Sequence, residues 1–349
     1  MVKTADNKTV VLLQHPTGYP QAGVHIGVQY REIDTTLNEG DVLVRNLYIS
    51  LDPYLRGRMN GIKDYIVPSY QINGPFDGHG VSEVIESKNS KLPVGTLVTY
   101  DMTRWEERSV VPASIAKDLV VLPEGARNSK IPISSYIGVL GMPGFTAHAS
   151  LLEIGQPKAG ETIFISAASG AVGQLVGQIA KLKGLRVVGS AGSDQKVEFL
   201  LKELKFDAAF NYKKGNILES LRAAAPEGID IYYENVGGET LEAVLDVMKL
   251  HGRIIVCGLI SGYNTNESYH VKNLVQILAK RLTIKGFVVA DFNEEIENAF
   301  QKDVTAWLLE DKIVYKEDIT EGLENAPEAF TGVFEGKNFG KAVVKIAGL

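Results

Sequence analysis

The most constraining feature of this chain is a short apolar run that leads into a turn built of small residues. Thr162–Ser166 predicts a buried β-strand and Val172–Leu182 predicts an α-helix. Between them, Ala168, Gly170 and Gly173 occupy the small-residue positions of a G-x-G-x-x-G turn. Such a turn lets the backbone approach a pyrophosphate, which then meets the free N–H groups and positive dipole of the helix N-terminus. We therefore expect a dinucleotide to contact Ala167, Ala168, Ser169, Gly170, Ala171, Val172 and Gly173.

The pattern around this turn is an alternation of strands and helices. Further strands are predicted at Arg186–Ser190, Ala208–Asn211, Ile229–Tyr233, Arg253–Gly258 and Thr283–Val289. Helices are predicted at Gln195–Leu204, Ile217–Ala224, Glu239–Leu250, Val271–Lys280 and Glu295–Leu309. This order is typical of βαβ units, so residues 131–304 are predicted to form a doubly wound parallel sheet of the α/β class.

The first 130 residues have a different pattern, with strand-like runs separated by turn residues. The runs are Val42–Ile49, Val81–Ile85 and Thr96–Tyr100. After the alternating region, Ala326–Thr331 leads into a last predicted strand, Gly340–Ile346. The length of 349 residues suits two domains of this kind.

The end of the second predicted βα strand indicates which dinucleotide is bound. Sites for NAD usually carry an acidic residue there, but Val187–Ser193 contains none. Asp194 comes slightly later and is expected to be the N-cap of the next helix. Lys196 lies in the first turn of that helix, where it is either a solvated residue or a partner for a 2′-phosphate. The missing acid and the available cation together favour NADPH.

Composition removes several classes of chemistry. Cys257 is the only cysteine, so an intrachain disulfide and a four-cysteine zinc site are both impossible. The six histidines show no metal-ligand spacing, so no metal is expected, and Cys257 is most simply a small buried residue. What remains is hydride chemistry assisted by a neutral hydrogen-bond donor such as a tyrosine.

Charge and hydropathy indicate the partners and the compartment. The net charge of −6 lacks the basic footprint of a nucleic-acid-binding protein. No signal peptide or membrane span is visible, so we expect a cytoplasmic protein without a nucleic-acid or membrane partner.

Many segments in order along the chain resemble one family. They are Ser50–Arg56, Gly141–Ala147, Ala168–Gly173, Gly192–Val197, Asn211–Lys213, Tyr233–Gly238, His251–Gly258, Ile260–Asn264 and Gly336–Lys341. The chain resembles the zinc-independent medium-chain dehydrogenases/reductases, and among them the NADPH-dependent alkenal double-bond reductases related to prostaglandin and leukotriene reductases. The resemblance implies a GroES-like β-barrel domain at 1–130 and 305–349 and an inserted Rossmann domain at 131–304. It also implies a homodimer that reduces the C=C bond of α,β-unsaturated aldehydes and ketones with NADPH.

The same resemblance implies roles for single residues. Tyr263 would donate a hydrogen bond to the substrate oxygen on which negative charge develops, and Tyr54 and His79 would contact the substrate. A phenol suits this task because its ordinary pKa of about 10 keeps it protonated. The cofactor contacts implied outside the glycine turn are Pro53, Tyr54, Gly192, Lys196, Tyr212, Asn235, Cys257, Tyr263, Phe287, Val288, Val289 and Asn338.

Simpler structural roles also fit several of these residues. Asn235 precedes two glycines and suits a turn, Asn338 suits a left-handed turn position, and Phe287–Val289 suits plain strand core. The simpler role for Tyr263 is that of an aromatic residue in a loop, and the simpler role for Tyr54 is that of a surface tyrosine. His79 stands where many plant members of the family carry tyrosine, so the substrate range is expected to differ.

Two other functions compete with double-bond reduction. A quinone reductase of the same superfamily would use the same glycine turn without zinc. A non-catalytic NADPH-sensing protein would bind the cofactor without turnover. Because one fold carries many functions, the fold alone does not decide among them.

Overall fold

A computed structural model describes residues 3–62 and 67–348. Its strands are β1 (Thr4–Leu12), β2 (Ile26–Asp34), β3 (Val42–Ser50), β4 (Asp77–Ser87), β5 (Leu97–Arg104), β6 (Arg108–Val111), β7 (Val120–Val121), β8 (Thr162–Ile165), β9 (Arg186–Ala191), β10 (Ala208–Asn211), β11 (Ile229–Glu234), β12 (Met248–Val256), β13 (Thr283–Gly286), β14 (Glu317–Glu321) and β15 (Lys341–Lys345). Its α-helices are α1 (Ala113–Ala116), α2 (Met142–Ser150), α3 (Gly173–Leu182), α4 (Asp194–Lys202), α5 (Ile217–Ala224), α6 (Gly238–Val247), α7 (Val275–Lys280), α8 (Glu294–Leu309) and α9 (Ala326–Phe334). A π-helical turn at Leu151–Gly155 continues α2, and short 3-10 turns include Pro53–Met59, Ile133–Ile137, Ile260–Gly262 and Val289–Asp291.

These elements form two compact units. Unit 1 consists of residues 1–138 and 317–349, and unit 2 consists of residues 139–316. Within the described ranges, no helix combines the length and the apolar character needed to cross a membrane.

Unit 2 contains the predicted parallel sheet. Its strand order is β10-β9-β8-β11-β12-β13, and every neighbouring pair is parallel. The order reverses direction between β8 and β11, which is the switch point where doubly wound sheets bind ligands. Apolar side chains such as Phe164, Val188, Ile229 and Tyr232 are buried against helices and form one continuous core. The predicted doubly wound sheet is confirmed.

Unit 1 is built mainly from antiparallel pairs, and β14 and β15 form its parallel pair. β1 and β2 form a two-stranded ribbon, and a second sheet runs β14-β15-β3-β4-β5-β7 with β6 also paired to β3. This path is open at β14 and β7 among the described strands. The C-terminal strand β15 pairs with β3, Val343 facing Ser50, so the end of the chain completes a sheet that begins near residue 42.

The units divide later in the chain than the sequence predicts at 130/131 and 304/305. The turn Ile133–Ile137 packs on Leu47 and Val81, which keeps it in unit 1. The segment after α8 belongs to unit 2, because Gln178 of α3 donates to the carbonyl of Val314 at 2.8 Å and accepts its N–H at 2.8 Å. Both boundaries depend on contacts between residues distant in sequence.

Several predicted elements have different ends in the structure, and two of them show why. The strand predicted at Thr283–Val289 stops at Gly286, because the chain turns at Val289–Asp291 and the Asp291 carboxylate accepts the N–H of Val288 at 2.9 Å. The helix predicted at Glu239–Leu250 ends at Val247, and β12 starts at Met248.

Candidate functional site

The turn after β8 forms a tight cradle. Ala167 adopts a left-handed backbone with φ of 48°, which is uncommon for a residue with a Cβ. The N–H of Gly170 bonds to the Ala167 carbonyl at 3.0 Å. A Cβ at Gly173 would lie 2.7 Å from both the carbonyl oxygen of Ala167 and the Cα of Ala168, so only glycine fits there. Small residues therefore let the first turn of α3 lie directly on the loop, as a phosphate cradle requires.

Basic and hydroxyl groups from α4 and from the segment after β10 lie near the end of β9. A Cβ at Gly192 would lie 3.1 Å from the hydroxyl of Tyr212, so these two residues are in close contact. Lys196 lies in the first turn of α4 and is half-buried, and the Nζ of Lys213 lies 6.0 Å from the ring centroid of Tyr212. This group suits a phosphate better than a ribose 2′-hydroxyl.

The N-cap of α4 is Ser193, and the prediction of Asp194 as the cap is wrong. The hydroxyl of Ser193 accepts the N–H of Lys196 at 3.3 Å. The Asp194 carboxylate instead accepts from Asn211 at 2.9 Å and from Lys214 at 2.5 Å, and these hydrogen bonds lower its pKa. The acid near this strand end is therefore already paired.

Two further loops lie at the carboxyl edge of the same sheet. After β11, the amide of Asn235 donates to the carbonyl of Ser166 at 2.7 Å, which fixes it beside the cradle. After β12 come Cys257, Gly258 and the turn Ile260–Gly262, which leads to Tyr263. A Cβ at Gly258 would lie 3.2 Å from the Tyr263 hydroxyl and 3.6 Å from the Asn235 carbonyl. The Tyr263 hydroxyl and the Asn235 backbone carbonyl therefore both lie next to Gly258.

The remaining predicted residues of unit 2 are less closely grouped. Burial raises the pKa of Cys257 to about 11, so this thiol is not a thiolate nucleophile at neutral pH. Phe287 packs on Phe292 with ring centroids 5.6 Å apart, and Val288 is 39% exposed. Phe287–Val289 is thus the start of a turn and not strand core.

Unit 1 holds the other predicted residues. Pro53 and Tyr54 open the turn Pro53–Met59, and burial raises the pKa of the Tyr54 hydroxyl well above its ordinary value. His79 lies in β4 where the pairing with β5 shifts register between Gly78 and Gly80, a β-bulge of the kind that redirects side chains near active sites. Burial lowers the pKa of His79, so the imidazole is neutral at pH 7. Tyr54 is half-buried and not a surface residue.

Asn338 lies in the turn before β15, where its amide donates to the Gly340 carbonyl at 2.7 Å. The left-handed positions of this turn are Gly336, with φ of 67°, and Gly340, with φ of 90°. The left-handed role considered for Asn338 is therefore taken by its glycine neighbours.

Comparison with known proteins decides the family. An N-terminal domain of oxidoreductases matches residues 8–119, and a zinc-binding dehydrogenase domain matches residues 171–305. A Nicotiana tabacum protein named 2-alkenal reductase (NADP(+)-dependent) is 45% identical over 99% of both chains. An Escherichia coli protein named NADPH-dependent curcumin reductase is 44% identical over 98% of this chain and 97% of its own. This chain belongs to the NADPH-dependent alkenal reductase family.

A solved structure supports the same assignment. The crystal structure of CurA in complex with NADPH from Vibrio vulnificus has a TM-score of 0.89 and 39% identity, over 98% of this chain and 100% of that one. The predicted family and fold class are thereby confirmed.

One matching domain is described as zinc-binding, which does not by itself show that this chain binds a metal ion. Across residues 3–62 and 67–348, no group of three or more His, Cys, Asp or Glu side chains is arranged to hold a metal ion. The zinc-independent chemistry inferred from the sequence stays a prediction.

Sequence reasoning missed three polar residues that fix predicted site segments within their own units. Ser166 directly follows β8 and Glu234 ends β11, and both bond to the loop of Asn235. Lys341 is buried, and its Nζ donates to Leu51 O at 3.0 Å and to Asp52 Oδ1 at 3.1 Å, which fixes the turn before Pro53. The available signal was a polar or charged residue next to an apolar strand, but the partners lie far away in the sequence.

Proposed function

We propose that this protein reduces the C=C bond of α,β-unsaturated aldehydes and ketones with NADPH. The observation that carries this proposal is the position of the Tyr263 hydroxyl at the carboxyl edge of the parallel sheet, beside the Asn235 loop and the cradle. Relatives at 44% and 45% identity that are named for NADPH-dependent reduction support it.

The chain's own residues fit the cofactor. A Cβ at Gly173 would meet the backbone of Ala167 and Ala168, so glycine lets the start of α3 lie against the loop where a pyrophosphate would bind. Lys196, Tyr212 and Gly192 would hold the 2′-phosphate, since the nearby Asp194 is occupied by Lys214 and Asn211. The other proposed contacts are Pro53, Tyr54, Asn235, Cys257, Phe287, Val288, Val289 and Asn338. Bound NADPH supplies the hydride that adds to the substrate β-carbon.

Tyr263 is the proposed catalytic residue. As the β-carbon is reduced, negative charge develops on the carbonyl oxygen of the substrate. A fixed O–H donor that points at this oxygen stabilises the enolate in the transition state. The enolate α-carbon then takes a proton from solvent. We assign substrate contacts to Tyr54 and His79, which keep an undissociated phenol and a neutral imidazole.

The direct test is NADPH oxidation with a medium-chain 2-alkenal, a phenylbutenone, a quinone and a saturated aldehyde, repeated with NADH. We expect turnover of the alkenal and the phenylbutenone with NADPH and product analysis that shows a saturated carbonyl compound. Turnover of the quinone alone would make the protein a quinone reductase. NADPH binding without turnover of any compound would instead support the sensor function.

The Lys196→Ala substitution tests the cofactor preference. Loss of one charge-assisted contact to the 2′-phosphate should weaken NADPH binding about 10- to 100-fold while leaving NADH binding unchanged. Titration of nicotinamide fluorescence measures both affinities. Lys202→Ala is the matched control, because Lys202 lies on the same helix and pairs with Glu198 at 2.5 Å. Equal losses for NADPH and NADH would contradict a 2′-phosphate contact.

The His79→Tyr substitution tests the substrate contact in unit 1. A phenol is larger than the imidazole and cannot become cationic, so KM should change severalfold and differently for alkenals and phenylbutenones. The NADPH affinity should stay the same. His270→Tyr, at an exposed position, is the control. Identical KM values for wild type and variant across an enone panel would remove His79 from the substrate site.

We also propose that the protein is a homodimer. β13 is an edge strand with four exposed residues, so its outer N–H and C=O groups are available for pairing. The neighbouring α7 segment exposes Leu274, Val275 and Leu278, the last of them 78% accessible. Light scattering should give twice the chain mass, and Leu278→Asp should yield monomers. The cytoplasmic location inferred from the sequence stays a prediction.

A further inference from the structure

Glu234, the last residue of β11, is a fully buried carboxyl group that the proposed reaction does not use. Its Oε1 accepts four hydrogen bonds: from the Tyr232 hydroxyl at 2.6 Å, the Val236 N–H at 2.7 Å, the Gly237 N–H at 2.8 Å and the Ser166 hydroxyl at 3.4 Å. Two of these donors are backbone groups of the loop that carries Asn235. The carboxyl group therefore fixes the backbone of this loop.

The same loop is joined to the cradle. The Ser166 hydroxyl accepts the N–H of Asn235 at 2.9 Å and lies 3.4 Å from Glu234 Oε1. The Asn235 side chain donates to the Ser166 carbonyl at 2.7 Å. Ser166 directly precedes the cradle residue Ala167, so a displacement of Asn235 would be passed to the cradle.

The loop is also joined to the segment that leads to Tyr263. The backbone carbonyl of Glu234 accepts the N–H groups of Cys257 and Gly258, both at 3.0 Å. The carbonyl of Asn235 accepts from Ile260 N at 3.2 Å. Val236 adds a further bond, since its carbonyl accepts the Ser261 hydroxyl at 2.6 Å. Residues 234–236 thus hold the segment 257–261, which leads to Tyr263.

The arrangement is energetically demanding. Burial raises the pKa of Glu234 above its ordinary value. Its second oxygen, Oε2, is buried and has no partner among the described residues. A buried polar atom without a hydrogen bond lowers the stability of the folded state. Glutamate is therefore not what core stability alone would favour here, which points to a role in organising the loops.

We propose that Glu234 is a positioning residue whose carboxyl group holds the Asn235 loop, and through it the Tyr263 segment, in register with the cradle. The proposal rests on the proposed function for the roles of Asn235 and Tyr263. It means that cofactor affinity and the placement of Tyr263 depend on one buried group.

The test compares Glu234→Gln with Tyr232→Phe in the full-length protein. Glutamine keeps the shape but accepts the two loop N–H groups more weakly, because these bonds lose their charge assistance. We expect NADPH to bind about tenfold more weakly, kcat to fall, and amide hydrogen exchange to speed up at residues 235–237 and 257–263. Tyr232→Phe removes a hydroxyl that bonds to Glu234 Oε1 at 2.6 Å and to Ser166 Oγ at 3.1 Å, and it leaves both loop N–H bonds to Glu234 in place. It should lower Tm yet leave NADPH affinity and loop exchange within twofold of wild type.

A Glu234→Gln protein that loses Tm but keeps wild-type NADPH affinity and loop exchange would overturn the proposal. Wild-type hydrogen exchange provides a measurement that needs no variant. Addition of NADPH should protect residues 235–237 and 257–263 together, whereas protection of the first segment alone would contradict the coupling. These readouts are independent of turnover, so a protein that binds NADPH but reduces no enone would refute the proposed function and still test Glu234.

Discussion

Tyr263→Phe should lower kcat/KM for a 2-alkenal by roughly 10²- to 10³-fold, the usual cost of removing one preorganised donor at a developing oxyanion. The phenyl ring keeps its packing beside Gly258. In the wild type, the Tyr263 hydroxyl lies 3.2 Å from the position that a Cβ at residue 258 would take. Only the O–H donor is removed. Steady-state kinetics with NADPH held at saturation measures the effect, and nicotinamide fluorescence should give a nearly unchanged NADPH affinity.

Tyr269→Phe is the matched control for this substitution. Tyr269 lies six residues further along the chain and is 45% exposed. Its variant should keep the kcat/KM of the wild type within about twofold. If Tyr263→Phe retains a third or more of the activity, Tyr263 is not the oxyanion donor and another group must serve. A variant that loses NADPH affinity in proportion would instead give Tyr263 a role in cofactor binding.

Local sequence signals predict the parallel sheet well because each element is specified by its own residues. Ala208–Asn211 and Ile217–Ala224 have the predicted ends, and the helix predicted at Val172–Leu182 differs from α3 by one residue. In these segments, apolar periodicity and flanking turn residues indicate the same structure. Agreement among such signals is what makes a prediction reliable.

The wrong predictions come from places where two residues carry the same signal or where a distant contact decides. Serine and aspartate are both favoured at N-caps, so Ser193 and Asp194 carry the same signal. The Asp194 carboxylate accepts hydrogen bonds from Lys214 and Asn211, and Ser193 caps the helix. The strand at Thr283 is cut short by the Asp291 side chain, which bonds to Val288. Neither competition is visible from propensity alone.

The candidate site also contains residues that the local sequence predicts and residues that depend on distant contacts. The cradle is predictable because its small residues are required by steric contact within a few positions of the chain. The role of Glu234 is not, because its partners include Ser166, which lies 68 positions away in sequence. Lys341 is a further case, since it reaches Asp52 across 289 positions. Buried polar networks between distant loops require the folded structure.

Gly173→Ala should weaken NADPH binding by about 10- to 100-fold. The added Cβ would lie 2.7 Å from the Ala167 carbonyl oxygen and from the Ala168 Cα, and both are backbone atoms that cannot rotate away. The loop must therefore move off the start of α3. Overpacking of this kind typically costs about 1–3 kcal/mol, which corresponds to that range of affinity if it falls on the bound state.

Gly177→Ala separates this effect from simple destabilisation. Gly177 lies on the same helix, and a Cβ there would meet the ring of Phe206 at 2.0 Å, far closer than packing allows. We expect Gly177→Ala to lower Tm at least as much as Gly173→Ala does, yet to keep the NADPH affinity of the wild type where it is folded. Fluorescence titration of both variants at a temperature well below their Tm makes the comparison. If both variants lose affinity alike, the loss reflects the stability of α3. If only Gly173→Ala does, the cradle itself holds the cofactor.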